Sequence, residues 1–553
     1  MSQPITILLS VTGFIVAMIV LNGLLTWQRQ QKLKRQLLAD WGTFPEKRPK
    51  GERYLKAAYL DHEAQVNHDC QVDDLTWQDL DMLDVFEQLN VTQSSVGAER
   101  VYAQLRAYDL GKPAVDEALI AFFQDHPDSR LKVQMAFAGL GIEPANNSQL
   151  YLRTTTKKAL PNAWRFKVMG GFPFIGVLLT LLWPAIGVTL MVVSLLVNVF
   201  YYILKREGLD AEITSMGYLV RTIITAERLA KISQPTQAAL RQAVKPMRGI
   251  TRFAFVFRTK TGSMGDILTE YLSIMFMLSF IAYNTVLDRL SSHHAEALAL
   301  WQRLGDLELA IAIANFRTAE ATTTQPVFAK GGMTATDLAH PLLKHPVANP
   351  VDWQKNALIT GANASGKSTY VKSIAINAIL AQTINTVTAT SFTMEPGEVI
   401  TAMAVRDDLS EGDSYFVAEI KAIRRLLNAV AKKKRVYGFI DEILKGTNTV
   451  ERIAASASVI NWLKQYPSLV DNELTDIMGD QCVNWHFQEK VTKEDGVVFD
   501  YLLYQGPATS HNAIALLATM DYPTSLIHDA RQLAADFERS KAWPKFVKGG
   551  IQA

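Results

Sequence analysis

The sequence predicts a mixed fold: transmembrane helices, an α-helical core and a C-terminal α/β domain. Three observations predict it. Residues 5–26 and 172–204 are long runs without a charged side chain, the composition of segments that meet lipid. Residues 28–165 and 207–330 carry apolar positions at helical spacing. Beyond residue 330, short apolar runs alternate with helical patterns, and the run 356–360 leads into the glycine-rich stretch GANASGKS. At 553 residues the chain has room for about three or four domains. Its net charge of +2 gives no global nucleic-acid signature. Cys70 and Cys482 are too few and too far apart in sequence for a disulfide framework, which fits a reducing compartment.

Residues 1–27 read as an N-terminal transmembrane anchor. About 20 apolar residues span a bilayer. No basic residue precedes the run and no small-residue cleavage site follows it, so a removed signal peptide fits less well. Trp27, with Arg29, Lys32, Lys34 and Arg35 behind it, orients the downstream side toward the cytoplasm. Residues 28–165 read as a cytoplasmic helical region. His62, His68 and Cys70 fall close together there, but one short cluster without further ligand spacing is a weak metal signal. Residues 166–206 read as a transmembrane hairpin broken near Trp183-Pro184-Ala185-Ile186-Gly187. Arg165 and Lys167 stand at its start and Lys205 and Arg206 at its end, so both ends face the cytoplasm. Residues 207–330 read as a second helical region. Within it, 267–290 is very apolar yet holds Glu270 and Asp288; it reads as one core helix, with a membrane segment as the alternative.

Residues 331–553 carry the chemistry. Gly361-Ala362-Asn363-Ala364-Ser365-Gly366-Lys367-Ser368 fits G-x-x-x-x-G-K-[ST], and Thr369 follows. In such a loop the glycines let backbone N–H groups turn inward around phosphates. The lysine supplies a point charge to the β and γ oxygens, and the serine hydroxyl ligates Mg²⁺. The context agrees. An apolar strand precedes the loop, and Val371, Ile374, Ala375, Ala378 and Ile379 recur at helical spacing after it, the order that aims a helix N-terminus at an anion. Residues 436–442, VYGFIDE, form a second apolar strand that ends in two carboxylates. Asp441 stands where a carboxylate holds Mg²⁺ directly or through water, and Glu442 where one polarises an attacking water. ATP and Mg²⁺ are the expected ligands.

These motifs resemble the ATPase domain of the MutS DNA mismatch repair family. ITGANASGKSTYVKS (359–373) is similar to that family's phosphate loop, and IDEILKGTNTVER (440–452) to its second carboxylate motif and the loop after it. DDLSEGDSYFVAEI (407–420) resembles the family's signature segment, with Ser414 in the serine position. Ala339-His340-Pro341-Leu342-Leu343 resembles the short turn ahead of the loop strand, and 506–533 the family's C-terminal helical segment. Phe416, Ile420, Ile423, Leu427 and Val430 make one helical face, so a helix starts near Asp413 or Ser414. On the residues alone Ser414 reads equally as an N-cap. The resemblance implies a serine that reaches the γ-phosphate of a partner subunit, hence a homodimer with composite ATP sites. Residues 77–106 and 304–317 resemble the family's helical core and the helix that enters its ATPase domain.

Two departures stand out. In the family, a buried strand ending in Ala-Thr-His follows the helix after the second motif. Here Tyr466-Pro467 is followed by SLVDNELT, with only Leu469 and Val470 as apolar strand material, so the strand and its switch histidine are expected to be missing. His486 lies in a strand pattern and is not assigned that role. The family's mismatch-reading domain, with its stacking phenylalanine, has no counterpart in residues 1–60, so DNA is a possible partner without a visible base-reading element. The expected function is a membrane-anchored, MutS-like ATPase whose ATPase domain faces the cytoplasm. The alternatives are a nucleotide-binding scaffold without hydrolysis and a transport ATPase. Against the latter stands the lack of a Leu-Ser-Gly-Gly-Gln-type signature.

Overall fold

The structure is a computed structural model that describes residues 3–45, 52–63, 66–143, 148–153, 160, 162–206, 209–253, 255–257, 264–361, 365–403, 415–432, 435–441, 443–444, 448–463, 468–471, 482–492, 496–506, 514, 522–540, 545–547 and 550–552. The chain forms two compact units. One comprises Met1–Asn67, Phe86–Gln104 and Val115–Ala321, the other His68–Val85, Leu105–Ala114 and Thr322–Ala553.

The first unit is helical. Its opening helix, Gln3–Ala39, runs through Trp27 and the basic residues without a break. The side chains of residues 1–12, 14–16 and 19 lie outside the description, so the expected anchor is described only in part; Leu21, Leu24, Leu25 and Trp27 are exposed. The helical core of this unit is organised around a buried carboxylate. Glu308, on the helix His294–Ala319, accepts the Gln93 N–H at 2.6 Å and the Ser94 hydroxyl, while the Tyr218 hydroxyl accepts the Ser95 N–H at 2.9 Å. These groups surround the start of the helix Ser95–Arg106, where N–H groups lack intrahelical partners and a negative charge is favoured.

Where the sequence predicts a hairpin, two helices stand side by side. Ala163–Thr180 and Pro184–Arg206 are joined by a turn at residues 181–183, with Pro184 opening the second helix, a position that needs no backbone N–H. The axes approach closely at Gly176, where an added Cβ would fall 2.8 Å from the Met191 nitrogen, and at Gly187, which faces Thr180. Leu181 at the tip is 81% exposed, and Leu182, Trp183, Ile186, Leu196 and Phe200 are exposed with it. Among the described residues, one helix, Pro184–Arg206, is by itself long and apolar enough to cross a membrane. The expectation of a single core helix over 267–290 is corrected. Met264–Met275 ends, Met277 takes a left-handed φ of 56°, and Leu278–Ser292 departs at 83°.

The second unit is α/β. Its strands in chain order are β1 (Cys70–Gln71), β2 (Ala107–Tyr108), β3 (Val327–Phe328), β4 (Met333–Leu338), β5 (Asn349–Trp353), β6 (Ala357–Thr360), β7 (Ser391–Met394), β8 (Glu398–Ala402), β9 (Val436–Ile440), β10 (Ser468–Asp471), β11 (Val483–Thr492), β12 (Gly496–Gln505), β13 (Lys545–Val547) and β14 (Gly550–Gln552). The main sheet has the order β12-β11-β6-β10-β9-β8, parallel from β11 to β8 with β12 an antiparallel edge. A second sheet has the order β3-β7-β4-β5. Side chains alternate across β9 as the pleat requires. Val436 and Ile440 join the core with Ile423 and Leu426 of the helix Tyr415–Ala431, and with Ile460 and Leu463 of Thr449–Leu463. Tyr437 and Phe439 instead meet Trp353 edge-on.

The strand expected to be missing is present. β10 pairs with β6 through Leu469↔Ala357, Val470↔Leu358 and Asp471↔Ile359, and with β9 through Ser468↔Gly438, Leu469↔Phe439 and Val470↔Ile440. The sheet interior demands a strand there, since β6 and β9 would otherwise carry unpaired backbone groups. Four residues suffice because both neighbours supply the pairing. The positions after Asp471, up to residue 481, lie outside the described residues.

Residues from the N-terminal half complete this unit. β1 and β2 form a two-stranded ribbon, and the Tyr108 hydroxyl accepts the Val399 N–H at 3.1 Å and donates to the Gly397 carbonyl at 3.1 Å. Asp79, with 0% of its surface exposed, accepts the Thr401 hydroxyl at 2.7 Å and the Met403 N–H at 2.9 Å. Asp73 forms an ion pair with Arg425, and Asp81 binds the Lys372 ammonium at 2.7 Å.

Candidate functional site at the carboxyl ends of the central strands

In open parallel sheets, ligands bind beyond the carboxyl ends of the strands. Here the ends of β6, β10 and β9 lie side by side. β6 is buried and apolar at Ala357, Leu358 and Ile359 and delivers the chain to Gly361 (φ 140°). Gly366 (φ 99°) then starts the helix Lys367–Ile384. Both glycines are required where they stand, for their φ values suit no other residue well. A Cβ at Gly361 would also fall 2.6 Å from the Phe487 carbonyl oxygen, and one at Gly366 3.1 Å from the Tyr501 ring. The helix that follows is almost wholly buried from Tyr370 to Ile384, which fixes the direction of its N-terminus.

Lys367 is buried, and its ammonium donates to the Gly361 carbonyl at 2.7 Å across the loop. Ser368, in the first helical turn, donates its hydroxyl to Asp441 Oδ2 at 2.8 Å. Asp441 leaves the end of β9 and is anchored by its own N–H to the Ala402 carbonyl at 3.1 Å. The Ser365 hydroxyl, in a residue 1% exposed, has no hydrogen-bond partner among the described residues. The fold therefore brings Gly361, Ser365, Gly366, Lys367, Ser368, Thr369 and Asp441 to one place. Ala362, Asn363, Ala364, Ser414 and Glu442 lie outside the described residues.

A cavity of about 380 Å³ adjoins Gly366 and Lys367, with His340, Val347, Phe487 and Tyr501 among its walls. Tyr501 holds a left-handed φ of 56°, uncommon for a bulky residue. Asn349 stabilises that bend, donating to the Tyr501 carbonyl at 2.9 Å and accepting the Leu503 N–H at 2.8 Å. His340 accepts the Leu342 N–H on Nδ1 at 3.2 Å. Burial, and then the nearby Lys372 ammonium, push its pKa down to about 4, against a smaller opposing effect of Asp81. It is therefore a neutral imidazole at physiological pH. Sequence reasoning missed Asn349, Phe487 and Tyr501. They come from distant parts of the chain, and the one local signal is the turn-rich stretch 344–350 that leads into β5.

This is the arrangement of an α/β protein with a glycine-flanked loop after β6 and a hydroxyl–carboxylate pair between the helix that follows it and the end of β9, across β10. Residues 357–538 match the family model described as MutS domain V. The chain is 25% identical over 297 residues to DNA mismatch repair protein MutS 2 of Haloarcula marismortui, covering 47% of this chain and 31% of that protein. It is 30% identical over 192 residues to DNA mismatch repair protein MutS of a Geobacillus species, covering 33% of this chain and 22% of that one. It is 31% identical over 203 residues to DNA mismatch repair protein MutS of Listeria monocytogenes, covering 35% and 23%. These findings support membership in the MutS family generally. The chain spans less than a third of the length of each of these relatives.

Proposed function

We propose that this chain is a MutS-type ATPase module held at the inner face of a membrane. The observation that carries the nucleotide part is the 2.8 Å contact between Ser368 and Asp441 beside Lys367. A hydroxyl from a helix's first turn beside a carboxylate at a strand end is the donor set that hard divalent cations such as Mg²⁺ take. The surroundings fit a phosphate as well: two positive-φ glycines that leave no room for a side chain, a buried lysine and a buried serine hydroxyl. In this reading the backbone of residues 361–369 and Lys367 hold the phosphates, Ser368 and Asp441 hold Mg²⁺, and the base fills the cavity against Val347 and Tyr501. Glu442 orients the attacking water, and Ser414 completes the site of a second subunit. Bound Mg–ATP supplies a polarised γ-phosphoryl group; the chain's part is to position it and exclude competing water.

Equilibrium ATP binding to the purified protein tests this directly. Lys367→Ala is expected to weaken binding by about 30- to 150-fold, since a charge-assisted contact of about 2–3 kcal/mol is lost in a loop built around it. A variant that binds ATP like the wild type overturns the assignment of this loop. The relatives' printed names speak of DNA mismatch repair; action on DNA is a proposal of the same kind, tested by the effect of duplex DNA on turnover.

The membrane part is supported by the helix Pro184–Arg206, its exposed apolar surface, and Arg165, Lys167, Lys205 and Arg206 at the open end of the hairpin. A second reading, a nucleotide-gated scaffold without hydrolysis, is favoured by one sequence observation. No histidine occurs between Asp471 at the end of β10 and His486.

A further inference from the structure

The hairpin does not stand alone. Asn198, in the middle of the apolar helix Pro184–Arg206, is 2% exposed and donates its amide to two carbonyls, Met169 at 3.0 Å and Met275 at 2.7 Å. The second is the last residue of the helix Met264–Met275, whose final carbonyls have no partners within the helix. A Cβ on Gly170 would meet the Phe276 carbonyl, so the elbow backbone lies directly on the hairpin, and Phe276 stacks on Phe174 with centroids 4.8 Å apart. Met277 is buried among Phe166, Tyr202 and Phe280. At the other end of the contact, Arg206 forms an ion pair with Glu270 at 3.3 Å.

These contacts fix a depth. Asn198 lies about 12 Å along its helix from Arg206 at about 1.5 Å per residue. If Arg206 sits at the headgroups, Met275 and Phe276 reach most of the way through one leaflet, whose hydrocarbon is about 15 Å thick. Glu270 stays at the level of the basic residues. Tyr271 and Leu272, between the two levels, are exposed. At that depth there is no water to satisfy an orphan carbonyl, and non-helical backbone is tolerated only where protein supplies the partner. Asn198 supplies it.

We infer that residues 269–277 form a re-entrant element, which enters the bilayer beside the hairpin, turns at Phe276 and Met277 under the Asn198 amide, and returns to the core as Leu278–Ser292. The inference rests on the membrane reading of the hairpin, and the test separates the two. Nitroxide labels are placed on Leu182→Cys and, separately, Leu272→Cys of the full chain in phosphatidylcholine–phosphatidylglycerol vesicles. Cys70 and Cys482 are buried, so the introduced thiol is the one that labels. Collisions with oxygen, which concentrates in lipid, are compared with those of a water-soluble nickel chelate. Both positions are expected to favour oxygen several-fold. Oxygen preference at 182 with nickel preference at 272 overturns the re-entrant element and leaves the hairpin in the membrane. Nickel preference at both overturns the membrane reading, and the inference with it. Adding Asn198→Leu is expected to move the 272 label toward nickel while 182 stays unchanged; an unmoved 272 label contradicts the role given to Asn198.

Discussion

Ser368 and Asp441 are far apart in sequence, yet their pairing was legible from it, because strand-loop-helix and strand-carboxylate patterns each fix one end of the contact. Tyr501 and Asn349 were not legible. Their roles depend on one unusual backbone angle and on strands that meet only in the folded sheet. In the proposed role of Glu442, Glu442→Gln is expected to bind ATP as the wild type does and to lose turnover by at least about a hundredfold, on the order of 3 kcal/mol of transition-state stabilisation. Equal single-turnover rates would remove Glu442 from the chemistry. His340 gives a pH dependence. Its pKa is about 4 in the folded unit and about 6.5 when unfolded. Between those values the unfolded chain binds a proton that the folded one does not, so stability rises with pH across that window and falls as pH drops from 6.5 to 4. The effect amounts to about 2–3 kcal/mol. Urea midpoints of wild type and His340→Asn, followed across that window, should converge at low pH and diverge at neutral pH; parallel curves would contradict it.

At the scale of elements, the instructive case is β10. Its sequence offers two apolar residues, and period-based reading needs about five for a strand. What makes it a strand is the pair of neighbours already in place, a tertiary cause that no local pattern records. The bend at Met277 is similar, since the stretch 271–287 carries no charge, glycine or proline to mark it. The ribbon of β1 and β2 and the short helix Asp74–Asp79 are the third case, for their partners lie far along the chain. Asp79 is the keystone of that docking. Asp79→Ala leaves the Met403 N–H and Thr401 hydroxyl without their acceptor, at about 1–3 kcal/mol each. The melting temperature is expected to drop by about 5–10 °C, with Asp79→Asn losing less because its carbonyl oxygen still accepts. An Asp79→Ala protein that melts with the wild type would show the docking to be dispensable. In the hairpin, Gly187→Leu forces a side chain into Thr180 and is expected to splay the two helices. The distance between nitroxide labels on Leu178→Cys and Val188→Cys, both exposed in the wild type, should lengthen; an unchanged distance would mean the helices do not pack at that glycine.

For the whole molecule, the proposal that Ser414 completes a partner's site would make activity a property of the dimer. Specific turnover should therefore rise with protein concentration, and Ser414→Ala mixed with Lys367→Ala should recover part of the activity that each lacks alone. Strict proportionality to protein, with no recovery on mixing, would favour a self-contained site. A chain tied to lipid at its N-terminal half would confine such dimers to a surface, where local concentration is high and small changes in nucleotide state can assemble or separate them. The most direct measurement is Mg²⁺-dependent ATP turnover by the detergent-solubilised full chain, with and without duplex DNA, beside Glu442→Gln. Turnover is expected in the wild type and absent from the variant, whether or not DNA alters the rate. ATP bound without turnover in either protein would contradict the hydrolytic reading and leave a nucleotide-gated scaffold in its place.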